Sequence, residues 1–291
     1  MSERWVGLLG ATSFVGECLF ASMLEKGWHV LAFSRRFVAQ TDPRIVWCNP
    51  NSTSEITACA NKNIEHWICV APIGVIPDYF DWMASLGARR VVALSSTSRF
   101  TKTTSSDLSE QAAAKRLVEG ESQLQQWAQT HDIEWIVLRP TMIYGLGRDK
   151  NLAEIARFIR RFGLFPLFGQ AGGLRQPIHV QDVAIACMAA LQTPGVANRA
   201  YNLSGGEILP YREMIGRVFA ALGHPPRMVP VPLVVFRLAV AMLRFLPRYR
   251  NWTAAMAERM NRDMVFDHGE AAKDLAFKPR KFTLSPEDVS M

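Results

Sequence analysis

Six short runs, WVGLLG (5–10), HVLAFS (29–34), RIVWC (44–48), HWICVA (66–71), RVVALSS (90–96) and EWIVLRP (134–140), are apolar almost without interruption. A strand with one wet face alternates apolar and polar residues, whereas a run apolar at nearly every position belongs to a strand covered on both faces. Between the runs stand helical patterns: FVGECLFASMLEKG closing on a glycine, a helix near 77–87, and one over roughly 109–130. This alternation predicts an α/β fold with a doubly wound parallel sheet. After Pro140 the rhythm loosens into a helix near 152–162, a strand QPIHV, a helix DVAIACMAALQ capped by Asp182, the run AYNLSGG, and helices at 211–222, 233–246 and 252–262. The expected organisation is a main domain over 1–150 and a smaller, mostly helical lobe over 151–291 that can return elements to the main sheet.

Composition narrows the function classes. With 49% apolar and 20% charged residues in 291, the chain has ordinary globular content. Its net charge of +7 is compatible with nucleic acid, a membrane surface or an anionic small molecule. The basic residues are scattered, and no recognition helix, zinc finger or aromatic RNA-binding signature accompanies them, so no nucleic-acid partner is expected. Five cysteines, an odd number without C-x-x-C spacing or histidines at ligand intervals, argue against a disulfide framework and against a metal site. The opening MSERWVGLLG lacks a charged-then-apolar leader, so the expected location is the cytoplasm.

GATSFVG (10–16) lies between the first strand and the first helix. A phosphate-binding turn needs a glycine for the turn, close backbone approach to the pyrophosphate, and a small residue where the helix meets the strand. Gly10 and Gly16 meet the first and last needs, and Ser13 takes the middle position. At the end of the second strand, where a carboxylate would hold the ribose 2′-OH of NAD, the sequence reads Ser34-Arg35-Arg36. A hydroxyl and two fixed positive charges suit a 2′-phosphate, so NADP(H) is expected in preference to NAD(H), on a Rossmann-type domain.

With ALSSTS (93–98), LRPTMIYGLG (138–147), LRQPIHVQDVA (174–184) and RAYNLSGGE (199–207) following in order, most of the chain resembles the extended and atypical short-chain dehydrogenase/reductases, the superfamily of nucleotide-sugar epimerases and dehydratases. The resemblance implies cofactor contacts at Gly10, Ser13, Phe14, Gly16, Ser34, Arg35 and Arg36, at Ala71 and Pro72 after the fourth strand, at Lys115, and at Pro140 and Thr141 after the sixth. It implies an anionic, nucleotide-linked substrate with its diphosphate on Arg175, whose guanidinium fork suits phosphate oxygens. Thr97 matches the family's catalytic serine or threonine.

The family's catalytic tyrosine stands four residues before a lysine that holds the nicotinamide ribose and lowers the tyrosine's pKa. If Lys115 is that lysine, the tyrosine position holds Gln111, which can hydrogen-bond but cannot exchange a proton near neutral pH. Thr97 also precedes Gln111 by only fourteen residues, a short interval for this family. Tyr144, Tyr79, Thr103, Thr104 and Ser105 are the candidate replacements. His179 is read as a packed structural residue.

PLVVFRLAVAMLRFLPRYR (232–250) reads as an apolar helix between Pro232 and Pro247, with Arg237 and Arg244 on one face. It falls short of the roughly 20 residues that span a bilayer. It can cover the core, form a homodimer contact, or lie on an anionic membrane surface, which would put the protein peripherally at the inner membrane. Two functions stay open: an NADP(H)-dependent oxidoreductase or epimerase/dehydratase lacking the usual tyrosine, or an NADP(H)-binding protein without catalysis.

Overall fold

Each of the six apolar runs is a strand in the computed structural model, which describes residues 3–36, 38–39, 42–52, 62–149, 151–232, 234 and 254–290. They are β1 (Trp5–Leu9), β2 (His29–Phe33), β3 (Ile45–Cys48), β4 (His66–Cys69), β5 (Arg90–Leu94) and β6 (Glu134–Pro140). The short pairings β7 (Ile143–Tyr144), β8 (Phe165–Phe168), β9 (Leu174–Arg175) and β10 (Ile178–His179) follow. Then come β11 (Arg199–Leu203), β12 (Leu209–Pro210) and β13 (Met228–Val231).

The seven-stranded sheet has the order β11-β6-β5-β4-β1-β2-β3, every pair parallel, so the doubly wound α/β expectation is borne out. Its seventh strand is β11, formed by the AYNL run, which returns to the sheet from beyond residue 150. Side-chain alternation distributes each strand between two cores, as a sheet buried on both faces requires. Val6, Leu8, Val30, Ile68, Val92, Ile136 and Leu138 face one way, against α1 (Phe14–Glu25) and a later helix. Leu31, Trp67, Cys69, Val91, Ala93 and Val137 face the other, against the 3-10 turn Ile73–Tyr79, α2 (Phe80–Ser85) and a long helix beyond it.

The helices continue as α3 (Ser98–Thr101), α4 (Leu108–Thr130), α5 (Leu152–Phe162), α6 (Val180–Gln192), α7 (Tyr211–Ala221), α8 (Ala254–Met260), α9 (Gly269–Asp274) and α10 (Pro286–Val289). α4 is the long helix on the second face, and α6 packs along α1 on the first. A third core, built from Tyr144, Leu152, Ile159, Phe165, Leu167, Ile215, Phe219 and Phe282, belongs to the small lobe.

One local expectation changes. α6 begins at Val180 and is capped by His179, whose Nδ1 accepts the Gln181 N–H at 3.3 Å. Asp182, expected as the cap, lies inside the first turn, where its carboxylate takes the Arg280 N–H and Nε–H, each at 2.9 Å. Apart from Val234, the helix expected over 233–246 lies outside the described residues. Among the described residues, no helix is long and apolar enough to cross a membrane, and no group of three ligating side chains could hold a metal ion.

Candidate cofactor and active site

In an open parallel sheet, ligands bind beyond the carboxyl ends of the strands, where the strand order reverses. Here the reversal falls between β1 and β4, and the loops following β1, β2, β4, β5 and β6 all leave the same edge. That edge gathers Gly10–Gly16, Ser34–Arg36, Ala71–Pro72, Ser95–Thr97 and Pro140–Thr141.

The turn after β1 has no room for larger residues. Gly10 adopts φ +82°, and a Cβ there would stand 2.5 Å from the Ala71 nitrogen. A Cβ on Gly16 would stand 2.3 Å from the Gly10 carbonyl oxygen. Ser13 is the N-cap of α1, its Oγ accepting the Gly16 N–H at 3.1 Å, and Phe14 opens the helix, half-buried against the first core. Serine at the middle position thus satisfies one of the four N–H groups a helix start leaves open.

Beyond β2, Ser34 is buried; its Oγ donates to the Arg36 carbonyl at 2.8 Å and accepts the Arg36 N–H at 3.1 Å. The hydroxyl therefore shapes the turn that presents Arg35 and Arg36. Both arginines are exposed, and neither has a carboxylate partner among the described residues. With Thr12 and Ser34 they line an open pocket of about 530 Å³. Tyr79 lies near Arg35, which opposes the upward push that burial gives the phenol's pKa, so this candidate acid belongs to the β2 side of the sheet.

At the β5 and β6 ends, Thr97 is buried, its N–H and hydroxyl both donated to the Pro140 carbonyl at 3.1 and 3.2 Å. Thr141 donates its hydroxyl to the Gln176 carbonyl and its N–H to Leu203, tying the β6 end to the lobe. Beside them lies a cluster not anticipated from the sequence. Glu121 on α4, 1% exposed, accepts from Ser95 Oγ, from Arg99 Nη1, and from Arg139 through Nε and, at 2.6 Å, Nη2. Phe100 lies against both guanidinium groups, 5.2 and 5.4 Å from its ring centre. The available signal was spacing: Ala114, Leu117, Glu121, Leu124 and Ala128 recur at three and four, placing a glutamate in an apolar stripe.

The structure does not bring Lys115 or Tyr144 into this arrangement. Lys115 stands on the outer side of α4, its side chain 77% exposed and paired with Glu119 at 3.5 Å. Gln111, also exposed, donates its amide to the Ser105 carbonyl at 2.8 Å. Tyr144 is fully buried in the lobe core, its hydroxyl on the Thr283 carbonyl at 3.3 Å, and burial pushes its pKa up to about 12. A phenol so placed has no path to a reacting proton.

Arg175 is likewise inward. It is buried beside the Tyr211 ring and donates to the carbonyls of Leu174, Arg262 and Arg259, which holds the segment after α8 in place. That segment closes on the loop before α4: Arg259 and Lys102 pair with Glu110, Ser106 donates to Glu258, Arg262 donates to Thr104, and Phe100 meets Phe266. Ser105 Oγ donates to Glu110, and Thr103 Oγ1 to the Phe100 carbonyl, so each proposed loop hydroxyl already has a partner. His179 bridges Asp288 at 3.3 Å and, with burial holding its pKa down, serves as a neutral strut.

A glycine turn that excludes any Cβ at the reversal of a parallel sheet, facing a second loop at the end of β2, defines a dinucleotide-binding protein. Residues 77–204 match the family model described as NAD dependent epimerase/dehydratase family. Over that region, which is under half of the chain, it is similar to the NAD dependent epimerases and dehydratases.

It is 26% identical over 120 residues to a UDP-glucose 4-epimerase of Vibrio cholerae, covering 41% of this chain and 37% of that protein. Over 158 residues it is 26% identical to the mitochondrial NADH dehydrogenase [ubiquinone] 1 alpha subcomplex subunit 9 of Arabidopsis thaliana, covering 51% and 39%. The chain thus spans about two fifths of the length of these curated relatives. The fold matches a UDP-glucuronic acid 4-epimerase from Bacillus cereus, solved in complex with NAD, at a TM-score of 0.73 and 15% identity over 98% of this chain and 95% of that one.

Proposed function

We propose that the protein is an NADP(H)-dependent oxidoreductase or epimerase/dehydratase acting on an anionic, nucleotide-sugar-like substrate, with an active site that lacks the usual tyrosine–lysine pair. The observation that carries the cofactor reading is the exposed Arg35–Arg36 pair, without a carboxylate partner among the described residues, beside the Gly10–Gly16 turn. The turn's close-packed backbone suits a pyrophosphate, and two guanidinium groups where NAD enzymes place a carboxylate suit a 2′-phosphate. Ala71, Pro72, Pro140 and Thr141 would border the cofactor, since they follow β4 and β6 on the same edge. When bound, NADP(H) would supply the hydride chemistry; Thr97, fixed against Pro140, would orient a substrate oxygen.

An anionic substrate is supported by the nucleotide sugars named for the solved relatives. Arg175 would act by holding the Arg259–Arg262 turn. A second reading, a cofactor-binding protein without turnover, is favoured by one observation: neither Gln111 nor exposed Lys115 can deliver a proton to the cleft. Segment 232–250 would add a peripheral contact with the inner membrane surface.

The test is calorimetric titration of nucleotide-stripped protein with NADPH and then NADH, followed by hydride transfer from labelled NADPH to nucleotide sugars, quinones and aldehydes. Micromolar binding with NADPH preference and label transfer support the proposal. Tight binding with no transfer leaves the second reading, and no binding of either nucleotide overturns both.

A further inference from the structure

The small lobe carries an apolar face that its own core leaves uncovered. α5 buries Leu152, Ala153, Ala156 and Ile159 and turns Arg160 and Arg161 to solvent. The helix ends on Phe162, 52% exposed, and Gly163 in the left-handed region at φ +67° turns the chain into Leu164, 36% exposed. β8 then pairs with β13 in parallel, the Phe165 N–H reaching the Arg227 carbonyl at 2.9 Å. Phe165 joins the lobe core, while Val229, opposite half-buried Pro166, is 43% exposed. Val234, three residues past β13, is 68% exposed.

Arginines rim this face without counter-charge. Arg160, Arg161 and Arg227 are exposed and have no carboxylate partner among the described residues; the Arg161 guanidinium lies 5.2 Å from the Phe162 ring centre. The sequence continues the pattern: between Glu213 and Glu258 there is no acidic residue, and beyond Arg217, which pairs with Glu207 and Glu213, Arg227, Arg237, Arg244, Arg248 and Arg250 fall there. Apolar side chains beside unpaired guanidinium groups match a surface offering hydrocarbon and anionic headgroups at adjacent depths, and arginine stems cross that boundary readily.

We infer that Phe162, Leu164 and Val229, flanked by Arg160, Arg161 and Arg227, dock the small lobe onto an anionic lipid bilayer. The inference deepens the peripheral-contact part of the reading above by assigning the contact to a described face outside segment 232–250.

The test is flotation of the full chain with vesicles of phosphatidylcholine alone and of phosphatidylcholine with phosphatidylglycerol. The parent protein should float with the anionic vesicles and release as salt rises. Arg160→Glu with Arg161→Glu should lower partition about thirtyfold, and Phe162→Ser with Val229→Ser at least tenfold. All four positions are exposed, so the variants should keep the parent's circular dichroism and NADPH affinity. Equal binding to both vesicle types overturns the inference. If Arg237→Glu with Arg244→Glu abolishes flotation while the face variants float as the parent does, the membrane reading survives and this face is refuted. A dimer in solution that the face variants dissociate refutes it too, by making the face a contact between copies.

Discussion

Replacing Glu121 by glutamine asks whether the floor of the cleft is held by charge. The carboxylate is 1% exposed and serves Ser95, Arg99 and Arg139 together. Glutamine keeps the volume, removes the charge, and turns an amide NH₂ toward a guanidinium that can only donate. The Arg99 and Arg139 side chains, 20% and 16% exposed, would then share no counter-charge. Breaking a buried pair by removing one partner costs about 3–5 kcal/mol. Because both arginines keep some contact with water, about 2–4 kcal/mol is expected here. For a chain of this length that is a fall in Tm of roughly 4–8 °C.

Thermal and urea unfolding followed by tryptophan fluorescence would measure it. Replacing the whole cluster (R99M, E121L, R139M) should return stability to within about 1 kcal/mol of the parent, since the penalty arises from unpaired charge. A Glu121→Gln protein melting within one degree of the parent would refute the reasoning, because the two guanidinium groups would then have found solvent without cost.

Three further outcomes are expected. Arg35→Ala with Arg36→Ala should weaken NADPH binding about ten- to a hundredfold more than NADH binding by calorimetry, the worth of one charge-assisted contact to a phosphate; equal losses would sink the 2′-phosphate assignment. Gly16→Ala should abolish binding of both nucleotides while the protein still folds, because the added methyl meets the Gly10 carbonyl at 2.3 Å; retained affinity would show that the turn relaxes. Burial lowers the pKa of folded His179 from its ordinary 6.5, so its contribution to stability is present above that value and is lost as pH falls through the lowered one. The difference in urea midpoint between the parent and His179→Gln should therefore shrink from pH 7 to pH 5, and a constant difference would count against a neutral folded imidazole.

Hydrophobic runs announced the sheet because a strand buried on both faces needs apolar side chains at nearly every position; Val91, Val92 and Ala93 of β5 are all fully buried. The short pairings were not legible. β8 (FPLF) and β13 (MVPV) carry prolines that argue against a strand, and they are tolerated because each lies at the edge of a two-stranded sheet. The residue types of the cofactor loop were legible because phosphate chemistry prescribes them locally. The direction of Arg175 and Tyr144 was not legible for the opposite reason: motif position says nothing about direction, and both point into the lobe, Arg175 toward the carbonyls of Leu174, Arg259 and Arg262 and Tyr144 toward that of Thr283.

Direction also decides the question of the missing dyad. On α4 the face that meets the β5 and β6 ends is fixed by Glu121, which touches Ser95 and Arg139. One and two turns earlier on that face stand Leu117 and Ala113, four residues apart as a tyrosine–lysine pair would be, with buried Ala114 beside them. Lys115 is rotated by about 200° from Leu117 along the helix, at 100° per residue. The absence therefore runs deeper than one substitution at Gln111: both positions that face the strand ends are aliphatic, and Lys115 is a surface residue engaged with Glu119. Among the described residues, α4 therefore presents no tyrosine–lysine pair to the strand ends. Restoring the pair as Ala113→Tyr with Leu117→Lys should accordingly raise hydride transfer from NADPH, whereas Gln111→Tyr should leave it unchanged. A gain from Gln111→Tyr alone would mean that α4 turns its other face to the cleft when cofactor binds.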